Sequence, residues 1–309
     1  MNQFLSLPSF AKINWSLRIL GKRPDHLHEI RTTLQTISLH DSLSFELSEE
    51  QEIALICSNA EIPSDHRNLV VRAAHALQQQ YRVGKGARIQ LEKSIPAEAG
   101  LGGGSSNAAV ALLALARLWQ VDASANDLIT IAAELGADVP FFFFGGSMLG
   151  TGTGTTLTVL PDPLSQHLII IAPRASVSTR DAYEALQAPA LTSDTSEFIL
   201  SSSQNRGDSD DSLPWLHNDF VNDFESLIFD IYPEIGRAKD QLIAAGAKAA
   251  LMTGSGSSVF GVFADQKSQQ QALEKIQTEA GWRIFPCVTV SRNEYRHAIG
   301  EELFRSYAL

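Results

Sequence analysis

Two cysteines in 309 residues, Cys57 and Cys287, are too few and too far apart for a disulfide framework or a thiolate metal site. Both sit in strand-like apolar segments, the setting of buried, reduced thiols in a cytoplasmic protein. Basic runs are missing too: 24 Lys and Arg stand against 35 Asp and Glu, a formal net charge of −11. Nothing could track a phosphate backbone, so no nucleic-acid partner is expected, and any anionic ligand must be held locally. No stretch approaches the roughly 18 consecutive apolar residues of a membrane span, and the N-terminus lacks the charged-then-apolar layout of a signal peptide. A cytoplasmic protein without membrane contact is expected. What is present is 44% hydrophobic residues, enough for a sizeable core in two domains or one large one.

The most informative stretch is Pro96-Ala97-Glu98-Ala99-Gly100-Leu101-Gly102-Gly103-Gly104-Ser105-Ser106, directly before the helix formers of residues 107–119. Three consecutive glycines open backbone angles closed to other residues and bring no side chains, so N–H groups can close around an anion. Ser105 or Ser106 is read as the N-cap of the helix, whose positive end then points into the loop. The pattern reads as a phosphate cradle. It is neither Gly-x-x-x-x-Gly-Lys-Ser/Thr, since no lysine stands beside the hydroxyls, nor the dinucleotide fingerprint, whose glycine spacing is absent.

Upstream, residues 13–19 alternate, with Ile13, Trp15, Leu17 and Ile19 on one face and Lys12, Asn14, Ser16 and Arg18 on the other. Spacing alone leaves two readings of Lys12 and Asn14: solvated residues of an edge strand, or a functional pair on a rigid element. A turn through Pro24 and Asp25 carries His26 and His28. Strands are expected at 33–39, 42–47, 53–57 and 87–92, and a helix at 68–81 ended by Gly84. A second helix starts at Ser124, with Asp127 three residues on, and exits at Gly136. Asp138 then stands between a helix end and Phe141–Phe144. It is either a turn aspartate or a working carboxylate at the border of the core. Residues 145–154 read as turns, and 167–172 as a central strand. Residues 189–213, rich in Ser, Asp and Thr, read as a flexible surface insertion. The last third reads as helices at 219–229, 233–245 and 268–280 among strands at 249–252, 259–263 and 283–290, an α+β arrangement.

The order of these motifs resembles the GHMP small-molecule kinases. The resemblance rests on Ala11-Lys12-Ile13-Asn14, on the glycine loop through Ala108, on Leu135-Gly136-Ala137-Asp138-Val139-Pro140, and on Gly254-Ser255-Gly256-Ser257-Ser258-Val259-Phe260-Gly261. It implies an α+β fold of two domains. Residues 1–162 would form an ATP-binding half like domain 2 of ribosomal protein S5, and residues 163–309 a ferredoxin-like half. It further implies Lys12 and Asp138 as the catalytic pair, and the loop from Pro96 to Ser106 as the wrap of the ATP phosphates. Asn68 and Lys93 would lie near the adenosine, and Asn14, His28 and Tyr183 against the substrate. Mg²⁺ would be touched by Ser105 or Ser106, with Glu98 a weaker candidate. The implied reaction is ATP-dependent phosphorylation of a small alcohol, closest to the branch acting on a cytidine-linked polyol of isoprenoid synthesis, by a monomer or homodimer. Another small alcohol as acceptor, or a non-catalytic nucleotide sensor, are the alternatives. The family usually carries Asp-Gly-Tyr-His where this chain has Asp25-His26-Leu27-His28, and Leu27 cannot stack on a base as the tyrosine ring does.

Overall fold

The computed structural model describes residues 4–186, 188–191 and 220–306. Two long strands, β1 (Phe4–Lys22) and β2 (His28–Ser48), form an antiparallel hairpin at the heart of a six-stranded sheet. The other strands are β3 (Ile53–Cys57), β4 (Gly86–Glu92), β5 (Ser147–Thr151) and β6 (Thr156–Val159), in the order β3-β4-β2-β5-β6. Helix α1 (Leu69–Tyr81) connects the parallel pair β3 and β4. With it pack α2 (Gly103–Leu118), α3 (Ala125–Leu135) and a 3₁₀ turn, Val139–Phe143. Helix α2 is buried on nearly all sides, as its alanine- and leucine-rich sequence requires.

The second half is an antiparallel sheet in the order β10-β7-β9-β8, from β7 (His167–Ala172), β8 (Ala249–Met252), β9 (Val259–Phe263) and β10 (Arg283–Val288). Between and after these strands come α4 (Thr179–Leu186), α5 (Glu225–Ile231), α6 (Pro233–Ala244) and α7 (Gln266–Lys275). Both faces of β7 are covered, which accounts for its unbroken apolar run. Ile169 and Ile171 pack among the helices, while Leu168 and Ile170 join Ile13, Trp15 and Leu101 in a core between the halves. The chain then turns back. In α8 (Arg292–Ile299) and α9 (Glu301–Ser306), Tyr295, Ile299, Leu303 and Phe304 belong to the same buried cluster as α2. The Tyr295 hydroxyl donates to the carbonyl of Phe142, and complete burial pushes its phenol above the usual range.

The α+β class agrees with the sequence, and several boundaries differ from it. The strands expected at 33–39 and 42–47 are one strand, because the chain runs straight through Asp41, and a register shift between Phe10 and Ala11 absorbs the extra residues. Helix α1 ends not at Gly84 but at Arg82, which itself adopts a left-handed φ of 52°. The N-cap of α2 is neither Ser105 nor Ser106 but Gly102. Residues 145–154, read as turns, contain β5. Helices α5 and α7 are shorter than the 219–229 and 268–280 expected, and α4, α8 and α9 lacked a clear pattern. Of the insertion read at 189–213, residues 192–213 lie outside the described residues, while Lys22 pairs with Pro189 and Leu191 through backbone hydrogen bonds. Among the described residues no helix is long and apolar enough to cross a membrane.

Candidate active site

The glycine loop alternates into the left-handed region at Glu98 (φ 51°), Gly100 (φ 74°) and Gly102 (φ 70°). At Gly100 a side chain fits only if the loop moves, since a Cβ would sit 2.1 Å from the carbonyl oxygen of Thr253. The loop runs straight into α2, which has no side-chain cap, whereas α1, α3, α7 and α8 are each capped by a side chain. The first-turn N–H groups of α2 are therefore available to an anion.

Beneath the loop lies a carboxylate that sequence patterns did not single out. Asp41 is fully buried and accepts hydrogen bonds from Ser94 N and Ile95 N, each at 2.8 Å, and from Asn107 Nδ2 at 2.9 Å. It also forms an ion pair with Lys93. Asn107 Nδ2 reaches Ser9 Oγ at 2.9 Å, and Ser9 in turn donates to Ser106 Oγ at 2.7 Å. Ser106 and Lys93 are thus drawn under the loop rather than into the cavity above it. Asn68 caps α1, with Oδ1 accepting from Val70 N at 2.9 Å and Nδ2 donating to Pro63 O at 2.8 Å. Both ends of its amide are committed to the fold.

Above the loop, Lys12 and Asn14 are buried, not solvated as an edge strand would leave them. Strand alternation turns Ile13 and Trp15 into the core between the halves while Lys12 and Asn14 line the cavity. Lys12 Nζ donates to Asn14 Oδ1 at 2.8 Å and to Gly100 O at 2.9 Å, and lies 3.5 Å from Asp138 Oδ2. Asn14 Nδ2 donates to Thr32 Oγ1 at 2.7 Å. Asp138 is less buried than its place before the aromatic run implied, with 44% of its side chain exposed toward the cavity.

At the far end His28 stacks on Tyr183, ring centroids 4.8 Å apart, and Tyr183 meets Phe224 edge-on at 4.9 Å. Burial, then the charge of Asp138, pushes the Tyr183 phenol up; burial, then Lys22, holds the His28 imidazole below its usual value. Leu27 is 54% exposed at this end. Thr179 and Ser255 hydroxyls meet at 3.1 Å.

One cavity of about 1390 Å³ joins these parts. Lys12, Asn14, His28, residues 96–105, Asp138 and Tyr183 line it; Asn68, Lys93 and Ser106 do not. Ser255 of the Gly254–Gly261 motif also lines it, as do Thr32 and Arg180, which stand at positions without a distinctive motif of their own. Among the described residues no group of three His, Cys, Asp or Glu side chains could hold a metal. An alcohol carried in this cavity would have a carboxylate, an ammonium and an anion cradle within reach.

Comparison with known proteins places the chain in a family. Residues 68–146 match the family model of the GHMP kinases N terminal domain, and residues 204–281 that of the GHMP kinases C terminal. A 4-diphosphocytidyl-2-C-methyl-D-erythritol kinase of Solibacter usitatus is 40% identical over 293 residues, covering 94% of this chain and 90% of the relative. One of Prosthecochloris aestuarii is 39% identical over 287 residues, covering 92% and 98%. A crystal structure of 4-(cytidine 5'-diphospho)-2C-methyl-D-erythritol kinase superposes with a TM-score of 0.74 at 30% identity, covering 92% of this chain and 99% of that one. The relatives are small-molecule kinases, which use ATP, and nearly the full length of both chains is shared. The chain therefore belongs to the GHMP kinases, in the branch of the 4-diphosphocytidyl-2-C-methyl-D-erythritol kinases.

Proposed function

We propose that this enzyme transfers the γ-phosphoryl group of ATP to the 2-hydroxyl of 4-diphosphocytidyl-2-C-methyl-D-erythritol, a step of non-mevalonate isoprenoid precursor synthesis. The observation that carries the reading is a single cavity with an anion cradle, the Lys12–Asp138 pair and a stacked aromatic wall along its length. Residues 1–162 are taken as the ATP-binding half and 163–309 as the half that closes over the acceptor.

Asp138 takes the proton of the attacking hydroxyl as general base. Lys12 keeps that carboxylate ionised and offsets charge on the nucleophilic oxygen. Phosphoryl transfer asks little covalent chemistry of the protein, so positioning and charge stabilisation dominate. The N–H groups of residues 100–105 and the start of α2 would hold the phosphates. The exposed Glu98 carboxylate and the Ser105 hydroxyl are hard oxygen donors that suit Mg²⁺, an ion usually bound through few protein ligands alongside phosphates and water. Bound there, Mg²⁺ would neutralise phosphate charge. Ser106, bonded to Ser9, is the poorer candidate of the two serines. At the other end His28 and Tyr183 would receive the cytosine.

The test is ADP release by the purified protein with ATP and Mg²⁺, offering 4-diphosphocytidyl-2-C-methyl-D-erythritol beside mevalonate, homoserine and galactose. Turnover on the cytidine compound alone is expected. Turnover on another alcohol would discard the substrate and keep the chemistry, and ATP binding without turnover on any would favour a sensor.

A further inference from the structure

Thr253, the residue after β8, is fully buried and does not line the cavity, yet its hydroxyl reaches the centre of the Lys12 network. It accepts from Asn14 N at 3.0 Å and has two acceptors for its one proton, Asn14 Oδ1 at 3.2 Å and Gly100 O at 3.3 Å. Those are the two oxygens that receive Lys12 Nζ, at 2.8 and 2.9 Å. A further donor, Gly254 N, reaches Asn14 Oδ1 at 3.0 Å. Each carbonyl oxygen offers two lone pairs. Lys12 and Gly254 fill those of Asn14 Oδ1, which directs the Thr253 proton to Gly100 O and fills that oxygen as well. The ammonium spends two of its three protons on these fixed acceptors. With those two directions fixed, the tetrahedral ammonium has its third proton left for the carboxylate of Asp138, 3.5 Å away.

Resting on the reading of Lys12 and Asp138 given above, we propose that Thr253 is a positioning residue for the phosphoryl transfer. Its hydroxyl ties Gly100 O to Asn14 and so holds in place the two acceptors that orient the Lys12 ammonium, leaving the third proton for Asp138. The residue that aims the N-terminal lysine thus comes from the C-terminal half, 239 positions beyond Asn14. Thr253→Val keeps the shape and removes the hydroxyl, so Asn14 N loses its acceptor, Gly100 O is no longer tied to Asn14, and the ammonium loses the fixed acceptors that aim it. Thr253→Ser keeps the hydroxyl.

The experiment uses the full chain labelled with ¹⁵N-lysine, free of ligands, with the Lys12 ammonium resonance assigned by its loss in Lys12→Met. Thr253→Val is expected to shift that resonance and speed its proton exchange, while Thr253→Ser leaves it in place. In the phosphorylation assay the valine variant loses about 10- to 100-fold in kcat with KM for ATP nearly unchanged, and serine restores it. Thr253→Ala, which also lacks the hydroxyl and has more room, replaces the valine variant should that one not fold. A Lys12 resonance identical in wild type and the hydroxyl-free variant, or a serine variant as damaged as valine, would overturn the proposal. Absence of wild-type turnover on the cytidine compound would sink the substrate assignment alone, because the Lys12 resonance still decides for or against Thr253.

Discussion

Lys12 Nζ lies 3.5 Å from Asp138 Oδ2, and the two side chains occupy different media, with 4% of the lysine exposed against 44% of the aspartate. The ammonium is fixed by the fold while the carboxylate remains open to an incoming hydroxyl.

That asymmetry separates the two variants. Asp138→Asn lowers kcat about 10²- to 10⁴-fold and leaves the unfolding midpoint unchanged, since a half-exposed pair adds little to stability. Lys12→Ala lowers kcat by a similar factor, and it also strips two buried acceptors of a donor at a cost of about 1–3 kcal/mol. ADP release together with thermal unfolding reads both effects. Near-wild-type turnover in either variant contradicts the assignment.

Gly100→Ala sets a Cβ 2.1 Å from Thr253 O at a φ of 74°. The loop has to move away from the second half, so a loss of about 1–3 kcal/mol in urea unfolding and a raised KM for ATP are expected together.

Lys93→Met tests whether this lysine holds the loop or the nucleotide. It leaves the fully buried Asp41 without its cation, and a loss of about 3 kcal/mol is expected, softened by the three N–H donors that remain. At temperatures where the variant is folded, KM for ATP stays within a few-fold of wild type. A large rise in KM without loss of stability would mean that Lys93 leaves Asp41 and contacts ATP directly.

The His28 imidazole is held below its ordinary value of 6.5 by burial first and by Lys22 second. The folded ring is therefore less protonated at a given pH than a free histidine. KM for the cytidine acceptor is expected to climb on acidification at a lower pH than an unperturbed imidazole would set, with His28→Gln removing the climb. The same sign holds for folding: the unfolded chain takes up this proton at a higher pH than the folded one, so acid weakens the fold.

Local signals made much of this molecule readable in advance. The glycine loop, the Ser124–Asp127 capping box and the apolar run of β7 each announce themselves within a few residues, because backbone freedom, cap geometry and burial act at short range. The Lys12 and Asp138 roles needed the family resemblance, since neither a lysine on a strand nor an aspartate after a helix is distinctive alone. Asp41 was illegible because its partners Lys93 and Asn107 lie 52 and 66 positions away. The serine pair misled for a related reason. Ser-Ser before a helix is a good capping sequence, but the Ser106 hydroxyl is claimed by Ser9, 97 residues upstream, and Gly102 takes the cap.

The return of α8 and α9 to the first core has a consequence for synthesis. Phe10 lies in β1 and Phe142 in the 3₁₀ turn, both in the first half, but Tyr295 packs against the first and hydrogen-bonds the carbonyl of the second. While the ribosome is still making the second half, that flank of the nascent first half stays open, with an aromatic surface to shield. The first half is therefore not a severable module. Its core is closed only by residues 295–304.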